Sequence, residues 1–318
     1  MQKKNHQSIN NQLSLFDTEM EGQVFAIEQS NTNFELLYKK DTGKLFQGDS
    51  IKWLKSLDSE SVDLIIADPP YNIRKADWDK FESQERYIEW SMEWIRESAR
   101  ILTKKGTLYI CGFTEILADL KHPSMKYFKG CKWLIWYYKN KANLGQDWGR
   151  SHESLLHLRK DSKFTFNIDD VRIPYGKHTL KYPSHPQAVT SQYKNNSKHR
   201  TTWTPHPKGA KPKDVLEIPT TCNGMKEKTP HPTQKPEELV RKLILASSNQ
   251  NDLILDPFSG SGTTIVVAEQ LSRKWLGCEI SHEYNQWAIK RLENIVHKSK
   301  EEWLTFDHEN QKRRISIR

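Results

Sequence analysis

Cysteine is scarce in this chain: Cys111, Cys131, Cys222 and Cys278 are the only four in 318 residues, and none lies closer than 20 positions to the next. That spacing gives neither a metal-binding Cys pair nor the dense framework of a small disulfide-stapled protein. Long apolar runs are missing as well. The longest, such as Val62–Ala67, have the length of a strand and not of a bilayer span. The first eleven residues carry Lys3 and Lys4 and then stay polar and rich in Asn and Gln, without the apolar centre of a secretory signal. A cytoplasmic protein with reduced thiols is expected, and the chain is long enough for a sizeable core without staples.

Charge is what the sequence has in abundance. Charged residues make up 28% of it and the formal net charge is +9. Between Arg172 and Lys235 there are twelve Lys or Arg against three acids, while the rest of the chain balances at 37 of each sign. The whole excess therefore sits in one internal segment, as a surface facing a polyanion would require. A solvated basic loop is the plainer reading of the same composition.

Residues 1–40 show no clear period and are read as a lead-in. From there apolar spacing predicts strands at 44–47, 62–67, 107–112, 133–138 and 154–158, with helical spacing at 51–57 and 85–103. Periodicity lapses from 172 to about 230. It resumes with a helix from Pro236 and a βαβ unit of strand 253–255, helix 262–271 and strand 275–280, followed by a helix over 282–296. Alternating strands and helices predict an α/β sheet.

Two turns carry the chemistry. Asp68-Pro69-Pro70-Tyr71-Asn72 leaves the end of an apolar strand, where open α/β sheets bind their ligands. The prolines remove donors and stiffen the turn, leaving the Asp68 carboxylate and the Pro69 carbonyl as fixed acceptors beside the Tyr71 ring. Such a turn suits a planar amino group, although a capping Asp in a rigid turn would look the same. The second turn, Asp256-Pro257-Phe258-Ser259-Gly260-Ser261-Gly262-Thr263-Thr264, also leaves a strand and enters a helix. Its glycines let a ligand approach the backbone, and Glu279, at the end of the next strand, stands where an acid commonly takes ribose hydroxyls. A dinucleotide fold would want a third glycine where Ile265 stands, and no Gly-Lys-Ser/Thr follows for a P-loop. A smaller adenosyl ligand fits better.

Together the two motifs resemble the S-adenosylmethionine-dependent DNA amino-methyltransferases. Their order, Asp-Pro-Pro-Tyr before Phe-x-Gly-x-Gly, is similar to the permuted β class, over residues 44–296. The resemblance implies a Rossmann-like, circularly permuted α/β fold with a mostly parallel sheet: a catalytic half at 41–171, a basic target-recognition insert at 172–230 and a cofactor half at 231–297, leaving a tail at 298–318. It implies catalytic roles for Asp68, Pro69, Pro70 and Tyr71, with Tyr71 as a stacking platform for an everted base. Asp49, Lys235, Asp256, Phe258, Gly260, Ser261, Gly262, Thr263 and Glu279 are its implied cofactor residues. His231-Pro232-Thr233-Gln234-Lys235-Pro236 looks like the class's lead-in to the cofactor helix. Trp136-Tyr137-Tyr138-Lys139 and His152-Glu153 resemble its segment after the catalytic turn.

An exocyclic amine has its lone pair delocalised into the ring, so acceptors for its N–H groups favour the tetrahedral nitrogen of attack. Direct transfer from a sulfonium calls for no metal. Cytosine C5 chemistry would need a nucleophilic cysteine after a proline, and none of the four follows one; they are read as buried small residues. The expected activity is thus adenine-N6 methylation of a flipped base in double-stranded DNA. Asp rather than Ser at 68 leans away from cytosine N4, the nearest rival; the basic insert argues against a protein-amide substrate, and intact Asp68, Tyr71, Gly260 and Gly262 argue against a nucleic-acid-binding protein with a decayed site. In the insert Lys194, Lys198, Arg200 and Trp203 are the expected DNA contacts. The resemblance also leaves room for a companion restriction endonuclease, a homodimer and association with the nucleoid.

Overall fold

Residues 33–73, 79–139, 146–186 and 202–316 are described by the computed structural model of the chain. A hairpin opens it: β1 (Phe34–Lys40) pairs antiparallel with β2 (Gly43–Gly48). Helix α1 (Ser50–Ser56) starts at Asp49, whose carboxylate accepts the Lys52 amide at 2.8 Å and so supplies an orphan helical donor with a partner. Strand β3 (Val62–Ala67) is followed by α2 (Gln84–Ile101), capped by the Ser83 side chain, then by β4 (Leu102–Gly112) and α3 (Thr114–Ser124). Strands β5 (Gly130–Tyr137) and β6 (His152–Arg159) form an antiparallel pair.

The basic segment contributes α4 (Lys177–Lys181), a small ribbon of β7 (His185–Pro186) and β8 (Thr202–Trp203), and β9 (Val215–Glu217). Helix α5 (Glu237–Ser247) carries two acids in its first turn, where the helix dipole favours them. The βαβ unit is β10 (Leu253–Asp256), α6 (Thr263–Gln270) and β11 (Lys274–Glu279). Helices α7 (His282–Glu293) and α8 (Lys300–Ser316) close the chain. No described helix is long and apolar enough to cross a membrane.

The main sheet runs β1-β2-β11-β10-β3-β4-β6-β5-β9. Its central pairs, β2–β11, β11–β10, β10–β3 and β3–β4, are parallel. Alternation along β3 divides the core: Leu64 and Ile66 pack on the side of α5, α6 and α7, whereas Ile65 and Ala67 pack on the side of α1, α2 and α3. Trp53, Trp94 and Trp275 are wholly buried, and each such apolar side chain contributes about 2 kcal/mol through lost water contact. From β10 the chain moves outward through α6 to β11, and from β3 it moves the other way through α2 to β4. The sheet therefore changes winding direction between β10 and β3, and crevices form at the strand ends of such a switch point.

Three expectations change. The last seven residues of the expected lead-in form β1, because its pairing with β2 supplies the partner that the local pattern does not reveal. Within the expected insert, β9 returns early to the main sheet and pairs parallel with β5. Of the expected tail, α8 docks on the core through buried Trp303 and through Asp307, which pairs with Arg241 of α5 at 3.2 Å. Among the cysteines, Cys111 and Cys278 are buried as expected, Cys131 is half-buried and Cys222 is exposed.

Candidate active site

Backbone pairing of Ile254 with Leu64 and of Leu255 with Ile65 brings the ends of β10 and β3 level. The turns that follow them consequently border one cleft. Asp68, Pro69, Pro70 and Tyr71 line it from one side; Asp256, Phe258, Gly260, Ser261, Thr263 and Glu279 line it from the other. Lys235, just ahead of α5, lies between them.

The Asp68 carboxylate is held at both oxygens. Its Oδ1 accepts the Tyr71 hydroxyl at 2.6 Å and its Oδ2 accepts the Lys235 ammonium at 2.6 Å. Glu153, at the start of β6, stands 3.3 Å from both the Lys235 Nζ and the Tyr71 hydroxyl. Burial opposes the Lys235 charge, yet the Asp68 and Glu153 carboxylates outweigh it and raise the ammonium above its ordinary range. The Tyr71 hydroxyl is raised as well, by burial first and by the same two carboxylates second, so it stays protonated and donates.

Asp79 fixes the turn that presents these groups. One of its oxygens accepts the Tyr71 and Asn72 amides at 2.6 and 2.7 Å, and the other accepts the Ile73 amide at 3.2 Å. Three converging amides hold a backbone that Pro69 and Pro70 cannot anchor through donors of their own. Tyr87 of α2 adds its hydroxyl to the Pro70 carbonyl at 3.0 Å.

Across the cleft, Gly260 and Gly262 have φ of +49° and +78°, in the left-handed region that glycine enters without steric cost. A Cβ on Gly260 would stand 3.1 Å from the His231 ring, and one on Gly262 would clash with Ala288 at 2.6 Å. Glu279 accepts the Gly260 amide on one oxygen and the Ser281 amide on the other, both at 2.8 Å. Burial raises its carboxyl, and burial likewise pushes Asp256 up to about 7. Arg291 of α7 ties the turn down through the Ser261 carbonyl at 2.8 Å and the Thr263 hydroxyl at 3.0 Å. A Cβ-free backbone beside a buried acid fits an adenosyl group with its ribose hydroxyls.

Several expected residues are placed differently. Asp49 caps α1 and does not border the cleft; its neighbour Ser50 does, with its hydroxyl bonded to the Pro257 carbonyl. The Phe258 ring packs between Trp90 and Trp94 at 5.6 and 5.3 Å, so it anchors the turn in the core as well as bordering the cleft. The Tyr71 ring is 9% exposed and meets Phe113 edge-on at 5.1 Å. This is a position for orienting Asp68 rather than for stacking on an incoming base. Lys235, expected with the cofactor residues, contacts Asp68. Trp203 lies away from the cleft, with its ring 6.1 Å from Tyr175. Lys194, Lys198 and Arg200 lie outside the described residues. Asp79 carries no motif that could have flagged it.

Residues 62–290 match the family model described as DNA methylase. The chain is 36% identical over 258 residues to the type II methyltransferase M.HpaI of Haemophilus parainfluenzae, covering 79% of this chain and 74% of that one. It is also 36% identical over 262 residues to the DNA adenine methyltransferase YhdJ of Escherichia coli K12, covering 81% and 85%. Among solved structures, the PvuII DNA methyltransferase, cytosine-N4-specific, superposes with a TM-score of 0.60 at 19% identity, covering 85% of this chain and 92% of that one; this likeness speaks for the fold alone. The complex of M1.HpyAVI with S-adenosylmethionine superposes with a TM-score of 0.51 at 26% identity, covering 79% and all of that chain. Shared motifs, shared fold and identity across most of its length make this chain a member of the DNA methylase family.

Proposed function

We propose that the chain methylates the N6 amine of adenine within a specific sequence of double-stranded DNA, with S-adenosylmethionine as methyl donor. One observation carries the reading: the Asp68 turn and the glycine turn at 258–263 border the same cleft. When bound, S-adenosylmethionine supplies a methyl group already activated by its sulfonium. The chain's own residues do the rest. Asp68 and the Pro69 carbonyl accept the two amine N–H groups, which draws electron density back onto the nitrogen, and Asp68 takes up the proton released. Tyr71 fixes the carboxylate rotamer.

Lys235 occupies Asp68 Oδ2 before the base arrives. Its second carboxylate, Glu153, lets it release that oxygen to the amine without leaving a buried cation unpaired. Glu279 and the backbone at Gly260 and Ser261 hold the adenosyl portion, whereas Gly262, expected to join them, packs against Ala288 outside the cleft lining. Mass spectrometry of nucleosides from DNA incubated with enzyme and cofactor tests the assignment. N6-methyladenine is expected, and N4-methylcytosine in its place overturns the choice of base.

The segment 172–230 serves as the DNA-recognition region in this reading, supported by its charge excess. Neutralising Lys194, Lys198 and Arg200 together should weaken DNA binding and reduce the slope of log affinity against log salt by up to about three units, since each phosphate contact releases roughly one counterion. An unchanged slope moves the DNA face elsewhere. The type II names of the relatives support a companion endonuclease acting on the same site, found by testing neighbouring genes for cleavage that methylation blocks. Association with the nucleoid follows from the substrate, and a homodimer is the proposed solution state.

A further inference from the structure

Next to the catalytic cleft, on the α5 face of the sheet, lies a second cavity of about 510 Å³. Leu243 is the one described residue that borders both. Cross-strand pairing of Tyr109 on β4 with His157 on β6 stacks their rings, with centroids 4.6 Å apart and planes 14° from parallel. Phe164 and Phe166 approach the same imidazole at 5.8 and 6.3 Å, and the Arg159 guanidinium lies over Phe164 at 4.8 Å. The result is an aromatic wall with a cation laid against it.

Two polar atoms of this wall are buried without a hydrogen-bond partner among the described residues: His157 Nε2 and Arg159 Nε. Buried polar groups are nearly always paired, so two such atoms lining one cavity point to a ligand that satisfies them. Burial, reinforced by Arg159 and Lys132, pushes His157 down to about 3, so the ring is neutral at physiological pH and presents one donor and one acceptor nitrogen. Lys211 and Lys213 also line the cavity. Of its two acids, Asp214 is already engaged by Lys132 at 3.4 Å and Glu217 by Lys139 at 2.9 Å. The balance of charge favours an anion.

We propose that this cavity is a second ligand site that takes a nucleotide, its base against the aromatic wall with its edge on His157 and Arg159, and its phosphate on the lysines. A simple anion would leave the rings and the imidazole unused, whereas a neutral aromatic would leave the lysines unused; a nucleotide uses both. The same chemistry arises from a free mononucleotide or from one nucleotide of a single strand, and the experiment separates them.

The catalytic cleft is first saturated with S-adenosylhomocysteine, and 5′-deoxynucleoside monophosphates are titrated into protein carrying labelled isoleucine methyl groups. The methyl signals of Ile168 and Ile173, which line the second cavity, should shift and saturate with a Kd of about 1 mM or below. Those of Ile66 and Ile280, which line the catalytic cleft, should stay in place. Reversing the exposed Lys211 and Lys213 in the K211E/K213E double variant should weaken binding about fivefold or more, and removing the phosphate from the probe should do the same. Tighter binding of a single-stranded tetranucleotide assigns the site to a nucleic-acid strand; equal or weaker binding assigns it to the free nucleotide. Shifts confined to Ile66 and Ile280, an absence of shifts up to about 10 mM, or indifference to both charge reversals overturn the proposal.

Discussion

Asp68→Ala should lower single-turnover methyl transfer by about ten-thousandfold or more, while the dissociation constant for S-adenosylmethionine changes by less than about tenfold. The carboxylate serves twice in the proposed reaction, as an acceptor that localises charge on the amine and as the sink for its proton. Each such role accounts for roughly a hundredfold or more, and removing both on one side chain removes the combined effect. Cofactor affinity is spared because Gly260, Ser261 and Glu279 lie on the opposite wall. The variant should also fold. Lys235, 8% exposed in its side chain, keeps Glu153 at 3.3 Å as a counter-charge, so it is not left uncompensated. Asp68→Asn gives a second reading at nearly constant volume, since it retains an acceptor for Tyr71 but cannot take the proton. Calorimetric titration of cofactor and a thermal melt on both variants separate lost chemistry from lost structure. Substantial turnover by a folded alanine variant would remove Asp68 from the reaction.

Asp307→Ala should cost about 3 to 5 kcal/mol of stability, seen as a fall in Tm of about 5 to 10 °C. Asp307 and Arg241 are 4% and 3% exposed in their side chains, and the guanidinium also lies over the Trp303 ring at 4.0 Å. Deleting the carboxylate leaves a cation that water cannot reach. Burial raises the Asp307 carboxyl despite Arg241, a sign that the low-dielectric surroundings tax both charges. Replacing the pair together, as Arg241→Met with Asp307→Leu, should therefore recover most of the loss, because an apolar pair of similar volume avoids desolvating two ions. If the single variant melts with the parent chain, α8 does not hold the core in solution. The expectation is specific to the pair: α8 reaches it from a segment whose sequence gives little hint of docking.

What the chain displays locally is dictated by periods and turn chemistry. Strand β3 and the βαβ unit of β10, α6 and β11 were legible to within about one residue because apolar alternation and Gly or Pro punctuation are short-range signals. The two ligand-facing turns were legible for the same reason: two prolines restrict the backbone, and two glycines admit the left-handed φ that a tight turn needs, wherever the chain folds. Helix α3 escaped notice, since its N-cap Phe113 makes no side-chain cap and Pro123 lies within it. Edge strand β1 and the docking of α8 depend on partners distant in the chain, and no local pattern encodes them.

The sequence by itself determined the α/β class, the order of the two motifs, the location of the charge excess and the identity of the carboxylate at the end of β3. Tertiary structure alone decided that Lys235 rests on Asp68, that Glu153 completes the group, that Asp79 clamps the turn, and that His157 and Arg159 face a second cavity. The division has a physical origin. Backbone restriction and apolar period act over a few residues, whereas ion pairs and cavities form between side chains that the sheet brings together from positions such as 68, 153 and 235.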